Sequence, residues 1–287
     1  MKEMYYKVAE HVFALKGTGL DKQLQQLSQY EPFVTEPVSE VCFSMEIVGE
    51  LPVSGIHEEL RQEDEGQTIV AGHLDEGEAY FEFWLGRKLC SLMVVDNDNR
   101  QARVCVKANW SFGVNNAIMV MYALATANSQ TALFHSSVVS YQGRAYMFLG
   151  HSGTGKSTHS SLWLKYIEGT ELVNDDNPVV RIIDGKARVY GSPWSGKTPC
   201  YRNVSYPVGA IVKLDQAPHN EIVRLKGIMA YAALVPSISG KRWDKQQAEG
   251  LHQTEDLLAQ LVPVWHLDCL PDEGAAQLCC KSCAHGS

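Results

Sequence analysis

One short segment constrains this chain more than any other. Residues 150 to 157 read Gly-His-Ser-Gly-Thr-Gly-Lys-Ser, which fits the pattern G-x-x-x-x-G-K-[ST]. An apolar strand pattern at 147–149 precedes it, and a helical pattern follows at about 156–167. Glycines let backbone N–H groups approach phosphate oxygens, and a helix N-terminus adds partial positive charge. The segment therefore predicts a loop that binds the triphosphate of a nucleotide such as ATP.

Each position of this loop has an expected role. Lys156 would reach the β- and γ-phosphates, and the hydroxyl of Ser157 would coordinate Mg²⁺. The predicted nucleotide-binding residues here are Gly150, Ser152, Gly153, Thr154, Gly155, Lys156, Ser157 and Thr158. A flexible glycine turn is the alternative, but it does not account for the strand and helix patterns on either side.

An acidic pair follows the loop at short range. Asp175 and Asp176 end the next strand pattern, nineteen residues after Lys156. Neighbouring parallel strands place their carboxyl ends side by side, so we expect both carboxylates near the phosphates. Mg²⁺ prefers carboxylates together with phosphate oxygens, and a second carboxylate can accept the proton of an attacking hydroxyl. The Asp-Asp-Asn-Pro segment could instead be a strand-ending turn. His135 could form a hydrogen bond to the catalytic carboxylate or to the incoming nucleophile, or it could be a core residue.

The remaining patterns divide the chain into two parts. Residues 1–130 look β-rich, and their apolar stretches resemble an antiparallel meander. These stretches lie at 41–48, 68–71, 79–84, 90–95 and 102–106. A nearly all-apolar helical stretch near 115–127 could bridge the two parts. Residues 131–287 alternate strands and helices, which indicates an α/β domain with a mixed α+β sheet.

Charge and composition exclude several classes of protein. The net charge is −8 and no basic stripe occurs, which argues against nucleic acid as a partner. No apolar run reaches the ~18 residues of a membrane span, and the first residues carry no signal region. We therefore expect a cytoplasmic protein without a membrane partner. The tail cysteines, with His285, could bind zinc, but the lack of a second CxxC favours exposed thiols.

Three runs together resemble a known family. They are Phe-His-Ser-Ser-Val at 134–138, Phe-Leu-Gly-His-Ser-Gly-Thr-Gly-Lys-Ser-Thr at 148–158 and Leu-Val-Asn-Asp-Asp at 172–176. They are similar to the catalytic domain of HPr serine kinase/phosphorylase, whose fold is related to ATP-dependent phosphoenolpyruvate carboxykinase. In both, an acidic pair closely follows the phosphate loop. The resemblance covers roughly residues 133–270, and the segment 190–199 looks like one found in largely uncharacterised bacterial members.

The resemblance implies a P-loop kinase domain preceded by a β-rich N-terminal domain. It implies an ATP- and Mg²⁺-dependent kinase acting on a hydroxyl, such as a serine of a protein, peptide or small molecule. The implied catalytic residues are Asp175, His135 and Lys156. Asp175 would be the base and Asp176, with Ser157, would bind Mg²⁺, although the two aspartates could be exchanged. Lys197 and Arg202 would neutralise charge in the transition state, or are surface residues.

The chain also departs from this family. HPr kinases carry an Arg-Gly-Leu-Gly run after the acidic pair, whereas residues 201–207 here read Tyr-Arg-Asn-Val-Ser-Tyr-Pro. This argues against HPr as the acceptor, and against phosphorolysis. Two other functions stay open: a non-catalytic ATP-binding sensor or assembly module, and a carboxykinase-type lyase, for which the chain looks too short. The N-terminal part could recognise the acceptor, form a homo-oligomer interface or cover the site.

Overall fold

The computed structural model describes residues 2–196 and 198–284 of the chain. Lys197 and His285, both considered above, lie outside these residues. The chain folds into a first unit, Met1–Thr126, and a second unit, Ala127–Ser287. Within the described residues, no helix is both long and apolar enough to cross a membrane.

The first unit is a mixed sheet with a long helix packed on it. Its described strands are β1 (Lys2–Val8), β2 (His11–Gly17), β3 (Val34–Thr35), β4 (Phe43–Val48), β5 (His57–Asp64), β6 (Gln67–His73), β7 (Ala79–Leu85), β8 (Lys88–Val95) and β9 (Gln101–Val106). Its described helices are α1 (Leu20–Leu24) and α2 (Trp110–Thr126). The strand order is β3-β1-β2-β4-β9-β8-β7-β6-β5. Helix α2 packs on β4, β7, β8 and β9; that it joins the two parts of the chain stays a prediction.

The predicted meander is only partly correct. Strands β6 to β9 are antiparallel neighbours, as expected. Strand β4, however, lies parallel to both β2 and β9, so the prediction that it continues the meander was wrong. The hairpin β1–β2 on its other side carries no turn signal, because its two turn residues are Ala9 and Glu10 at φ of 46° and 65°. Turns of this backbone shape are usually marked by Asn or Gly.

The second unit is a mixed sheet covered on both faces by helices. Its described strands are β10 (Thr131–Leu133), β11 (Ser136–Tyr141), β12 (Arg144–Leu149), β13 (Glu171–Asn174), β14 (Val179–Ile183), β15 (Lys186–Tyr190), β16 (Ser205–Gln216), β17 (Glu221–Leu225) and β18 (Val264–Cys269). Its described helices are α3 (Lys156–Tyr166), α4 (Ile228–Leu234), α5 (Lys245–Leu261) and α6 (Glu273–Ala284). The main strand order is β10-β14-β15-β16-β12-β11-β13, with β18 beside β16 and β17 beside β18.

Alternate side chains of the central strand β12 enter two separate cores. Phe148 packs with Trp163 of α3 and with α6 on one face. Met147 packs with Leu234 of α4 and Leu258 of α5 on the other face. A strand buried on both faces reads as a continuous apolar run, as residues 145–149 do. The carboxyl end of β12 therefore lies between two helix layers, one on each face of the sheet.

Strands β12 and β13 are not neighbours, contrary to the expectation from the sequence. Strand β11 lies between them and is antiparallel to both. The prediction of adjacent parallel strands was wrong, because the β11–β12 hairpin folds back before the chain reaches β13. The carboxyl ends of β12 and β13 still lie at the same edge of the sheet, with the start of β11 between them. His135, which precedes β11, is thereby held at that edge.

The C-terminal helix α6 belongs to the folded core. It contacts α3 and strands β16, β17 and β18, and it buries Cys279 and Cys280 beside Trp163. Burial raises the pKa of the Cys280 thiol to about 11. The expectation of exposed tail thiols was therefore wrong for these two cysteines.

Candidate functional site

The glycine loop joins β12 to α3 in a conformation that needs glycine. Gly153 and Gly155 have φ of 79° and 108°, where a side chain would strain the backbone. Gly155 precedes α3, and this helix has no side-chain cap. The first N–H groups of a helix lack partners within the helix. An uncapped helix start behind an open glycine loop is a suitable place for an anion.

Lys156 holds the two ends of the loop together. Its ammonium donates to the carbonyl oxygens of Gly150 (2.9 Å) and His151 (3.2 Å). It also donates to Nε2 of His135 at 3.0 Å. The lysine thus connects the loop to the start of β11.

His135 extends this connection to the acidic pair. Lys156 can only donate, so Nε2 of His135 accepts and Nδ1 carries the proton of the neutral ring. Nδ1 lies 3.0 Å from Oδ1 of Asp176, and Oδ2 of that carboxylate accepts from Asn177 at 2.6 Å. The result is a continuous chain from Lys156 through His135 to Asp176. The sequence had paired His135 with the catalytic carboxylate and assigned that role to Asp175; the contact is instead with Asp176.

Asp175 is buried and is not part of this hydrogen-bonded chain. Its Oδ1 accepts from Ser137 at 2.7 Å, and Ser137 lies 2.6 Å from Ser160 of α3. Since the single proton of Ser137 goes to the carboxylate, Ser160 donates to Ser137. Oδ2 of Asp175 is buried and has no hydrogen-bond partner among the described residues. An unpaired buried carboxylate oxygen is costly, so this atom suits a ligand.

The segment after β15 packs directly over the acidic pair. Asn174 donates to Ser192 Oγ (3.1 Å) and to the carbonyl oxygen of Trp194 (3.2 Å). A Cβ at Gly196 would lie 3.0 Å from the Asp175 carbonyl oxygen and 3.1 Å from Cβ of Asp176. Sequence reasoning assigned no role to Asn174, Ser192 or Gly196, because only their positions in the fold connect them to the aspartates.

Gln216 is a further residue that the sequence did not reveal. It ends β16, beside the glycine loop, and its amide donates to the carbonyl oxygens of Gly153 (3.2 Å) and Thr154 (3.3 Å). These two bonds hold the carbonyl groups of Gly153 and Thr154 toward the end of β16. A glutamine 62 residues beyond Thr154 carries no sequence signal for this contact.

Arg202 is held away from this group. Its guanidinium donates to Leu172 O (2.7 Å) and Glu171 Oε2 (2.8 Å), and the Glu171 bond raises its pKa. Both partners begin β13, and Leu172 lies about 10 Å along the strand from Asp175. The structure thus brings together the loop 150–158, His135, Asp175 and Asp176, and not Arg202. In that loop Ser152 is exposed, and Ser157 and Thr158 lie exposed in the first turn of α3.

A comparison with solved structures shows a distant likeness. The chain is similar to the Hpr(Ser) kinase/phosphatase from Coxiella burnetii, with a TM-score of 0.31 and 10% sequence identity over 54% of this chain and 94% of that chain. No protein-family model matches the chain, and no curated protein matches it. At that TM-score the likeness is too distant to assign a role to any residue, and what this chain does has to follow from its own side chains.

Proposed function

We propose that the second unit transfers the γ-phosphoryl group of ATP to a hydroxyl group of an acceptor. One observation carries the proposal: Lys156, His135 and Asp176 form a hydrogen-bonded chain beside the glycine loop, where helix α3 begins without a side-chain cap. Binding a triphosphate requires the loop and a cation. A half-exposed carboxylate oriented by a histidine goes beyond that requirement, and it suits proton removal from an attacking group.

The loop and Lys156 would hold the phosphates. Backbone N–H groups of the loop would supply the donors, apart from that of Thr154, which donates to the carbonyl oxygen of His151. The lysine ammonium would leave the loop carbonyls for the β- and γ-phosphates. Asp175 and Ser157 would hold Mg²⁺; in support, Oδ2 of Asp175 is buried without a hydrogen-bond partner among the described residues. When bound, the ion would neutralise phosphate charge. The roles of the two aspartates are then the reverse of those that the resemblance implied, and Asp175 would be the metal ligand.

Asp176 is then the base. Its side chain is 31% exposed, so an acceptor hydroxyl can reach it, whereas Asp175 is buried. The hydroxyl proton passes to Asp176 as the hydroxyl oxygen bonds to the γ-phosphorus. The bond from that phosphorus to the bridging oxygen breaks, and ADP leaves with the electron pair. His135 is a positioning residue here, because its Nδ1–H holds Asp176 in place.

The experiment is phosphoryl transfer from γ-labelled ATP to components of a cell extract. Lys156→Ala should lower transfer by about a thousandfold, because the lysine acts on the phosphates throughout the reaction. Lys165→Ala removes an exposed lysine from the same helix and should leave transfer unchanged. Transfer by Lys156→Ala at the rate of the unmodified chain would refute the proposal. Tight ATP binding without transfer would indicate a sensor module, and oxaloacetate-dependent ATP consumption a lyase.

A further inference from the structure

The ends of strands β16 and β18 carry a group of polar side chains outside the proposed catalytic site. Asp215 is near the end of β16, and His266 and Asp268 lie in β18, which is its parallel neighbour. We call these three residues the β16–β18 cluster. Among the described residues it is the one group of three or more histidine, cysteine, aspartate or glutamate side chains whose ligand atoms all lie within 4.8 Å of one another. This spacing suits a metal ion.

The cluster lies where the apolar core under α4 and α5 ends. Residues two apart on a strand share a face of the sheet, so Asp215 shares its face with Ile211 and His266 shares its face with Val264. Ile211 and Val264 are buried in the core that includes residues of α4 and α5. The side chains of the cluster are instead 27% to 40% exposed. Ions from solvent can therefore reach them.

The distances within the cluster are close to those between the ligands of a bound zinc ion. Nε2 of His266 lies 2.8 Å from Oδ2 of Asp215 and 3.7 Å from Oδ1 of Asp268. Ligand atoms about 2.0 Å from a tetrahedral Zn²⁺ are roughly 3.3 Å apart. Because the two distances lie on either side of this value, small side-chain rotations bring the three atoms around one ion.

Three carboxylates also stand side by side at this edge of the sheet. Asp268 is opposite Asp215 on one neighbouring strand and opposite Glu221 on the other. Like charges directly across a strand pair are destabilising. The ammonium of Lys213, 3.0 Å from Oδ2 of Asp215, offsets one of these charges. A divalent cation would offset the other two.

We propose that the β16–β18 cluster binds a divalent transition-metal ion, with Zn²⁺ the best fit. One imidazole nitrogen and two carboxylate oxygens suit Zn²⁺, whereas Mg²⁺ prefers oxygen ligands in octahedral geometry. The ion would take the place of the proton on Nε2 of His266, which leaves to solvent, and it would join the ends of β16 and β18. None of the three residues belongs to the proposed ATP site, so the inference does not depend on that site.

The alternative is a hydrogen-bonded network without a metal, in which Asp215 accepts from Nε2 of His266 and from Lys213. The effect of Lys213 distinguishes the two. In a network alone, Lys213→Gln removes an ion pair and creates no affinity for Zn²⁺. In a metal site the ammonium repels the ion, so Lys213→Gln should raise the Zn²⁺ affinity about fivefold.

The test is isothermal titration of the full chain with Zn²⁺ and with Mg²⁺, without nucleotide and in a phosphine reductant. Zn²⁺ should bind at least about a hundredfold more tightly than Mg²⁺. His266→Gln and Asp268→Asn should each lower the Zn²⁺ affinity by at least about tenfold, because even the outer partners of metal ligands contribute that much. His219→Ala, at an exposed histidine outside the cluster, should leave the affinity within about twofold.

Co²⁺ in place of Zn²⁺ separates this site from the cysteines of the chain. Co²⁺ in the cluster should give d–d absorption without the sulfur-to-metal charge-transfer band of thiolate ligands. Absence of Zn²⁺ binding to the unmodified chain would overturn the inference, as would a charge-transfer band together with unchanged Zn²⁺ affinity in His266→Gln. Should His266→Gln fail to fold, Asp268→Asn and Lys213→Gln still decide the question.

Discussion

The two units differ in what they do with buried polar groups. In the first unit Ser91, Asn116 and Thr126 donate to nearby backbone carbonyl groups and serve packing. In the second unit the buried polar side chains include Ser137 and Asp175, which meet each other across different strands at one edge of the sheet. Bringing polar groups from distant segments together inside a fold is costly unless they are paired. The comparison supports the proposal that phosphoryl transfer belongs to the second unit.

The aromatic core of the first unit offers the largest effect with which to test that difference. Phe13 is fully buried, and its ring stacks on Phe43 at 4.8 Å. Phe13→Ala should lower the free energy of unfolding by about 3–5 kcal/mol through lost burial and a cavity. Hydrogen exchange resolved along the chain would detect the loss in the first unit. ATP affinity should stay within about threefold of the unmodified chain; a parallel loss of ATP binding would contradict the division of roles.

Acid should weaken the second unit through His159. Burial lowers the pKa of His159 to about 4 from 6.5. The unfolded chain therefore binds this proton first as the pH falls, so stability is fully present above about pH 6.5 and is lost toward pH 4. The loss should be roughly 3 kcal/mol. Urea unfolding in EDTA across this range measures it.

A matched variant assigns the acid effect to its group. His159→Phe should flatten the dependence on pH between 6.5 and 4, because no buried histidine then needs a proton to unfold. His219→Ala, at an exposed histidine of the same unit, should leave the dependence nearly unchanged. An undiminished slope in His159→Phe would show that other groups cause the acid sensitivity.

The positioning role of His135 predicts a smaller effect, on turnover alone. His135→Ala should lower transfer by about a hundredfold, because Asp176 loses the donor that orients it. The Kd for ATP should change by less than about threefold. His135→Asn, which keeps an N–H donor, should recover part of the rate. Loss of ATP affinity in proportion to the rate would instead mean that His135 only supports the loop.

Local structure could be predicted from the sequence where one segment contains all the residues involved. The loop from Gly150 to Ser157 is such a segment, because its glycines, lysine and helix start are consecutive. The neighbourhood of the acidic pair could not be predicted in this way. Its partners Ser137, Ser192 and Gly196 come from other strands and loops, and strand order decides that they meet. The same holds for β4, whose apolar stretch predicted a strand but not a parallel neighbour on each side.

Helix boundaries show the same limit on a smaller scale. The sequence pattern indicates a helix at 249–261, whereas α5 begins at Lys245, where Asp244 accepts a hydrogen bond from the backbone N–H of Gln247 at 3.0 Å. Apolar periodicity reveals the part of a helix that faces the core and misses a polar first turn.

The most direct test of the central claim separates binding from transfer in Asp176→Asn. The substitution keeps the shape of the side chain and removes its ability to take a proton. Asp184→Asn, in an exposed turn at a φ of 49° that asparagine tolerates, is the matched control. ATP affinity in Asp176→Asn should stay within about threefold while γ-phosphoryl transfer falls by about a thousandfold. Transfer by Asp176→Asn at the rate of the Asp184→Asn control would contradict the account.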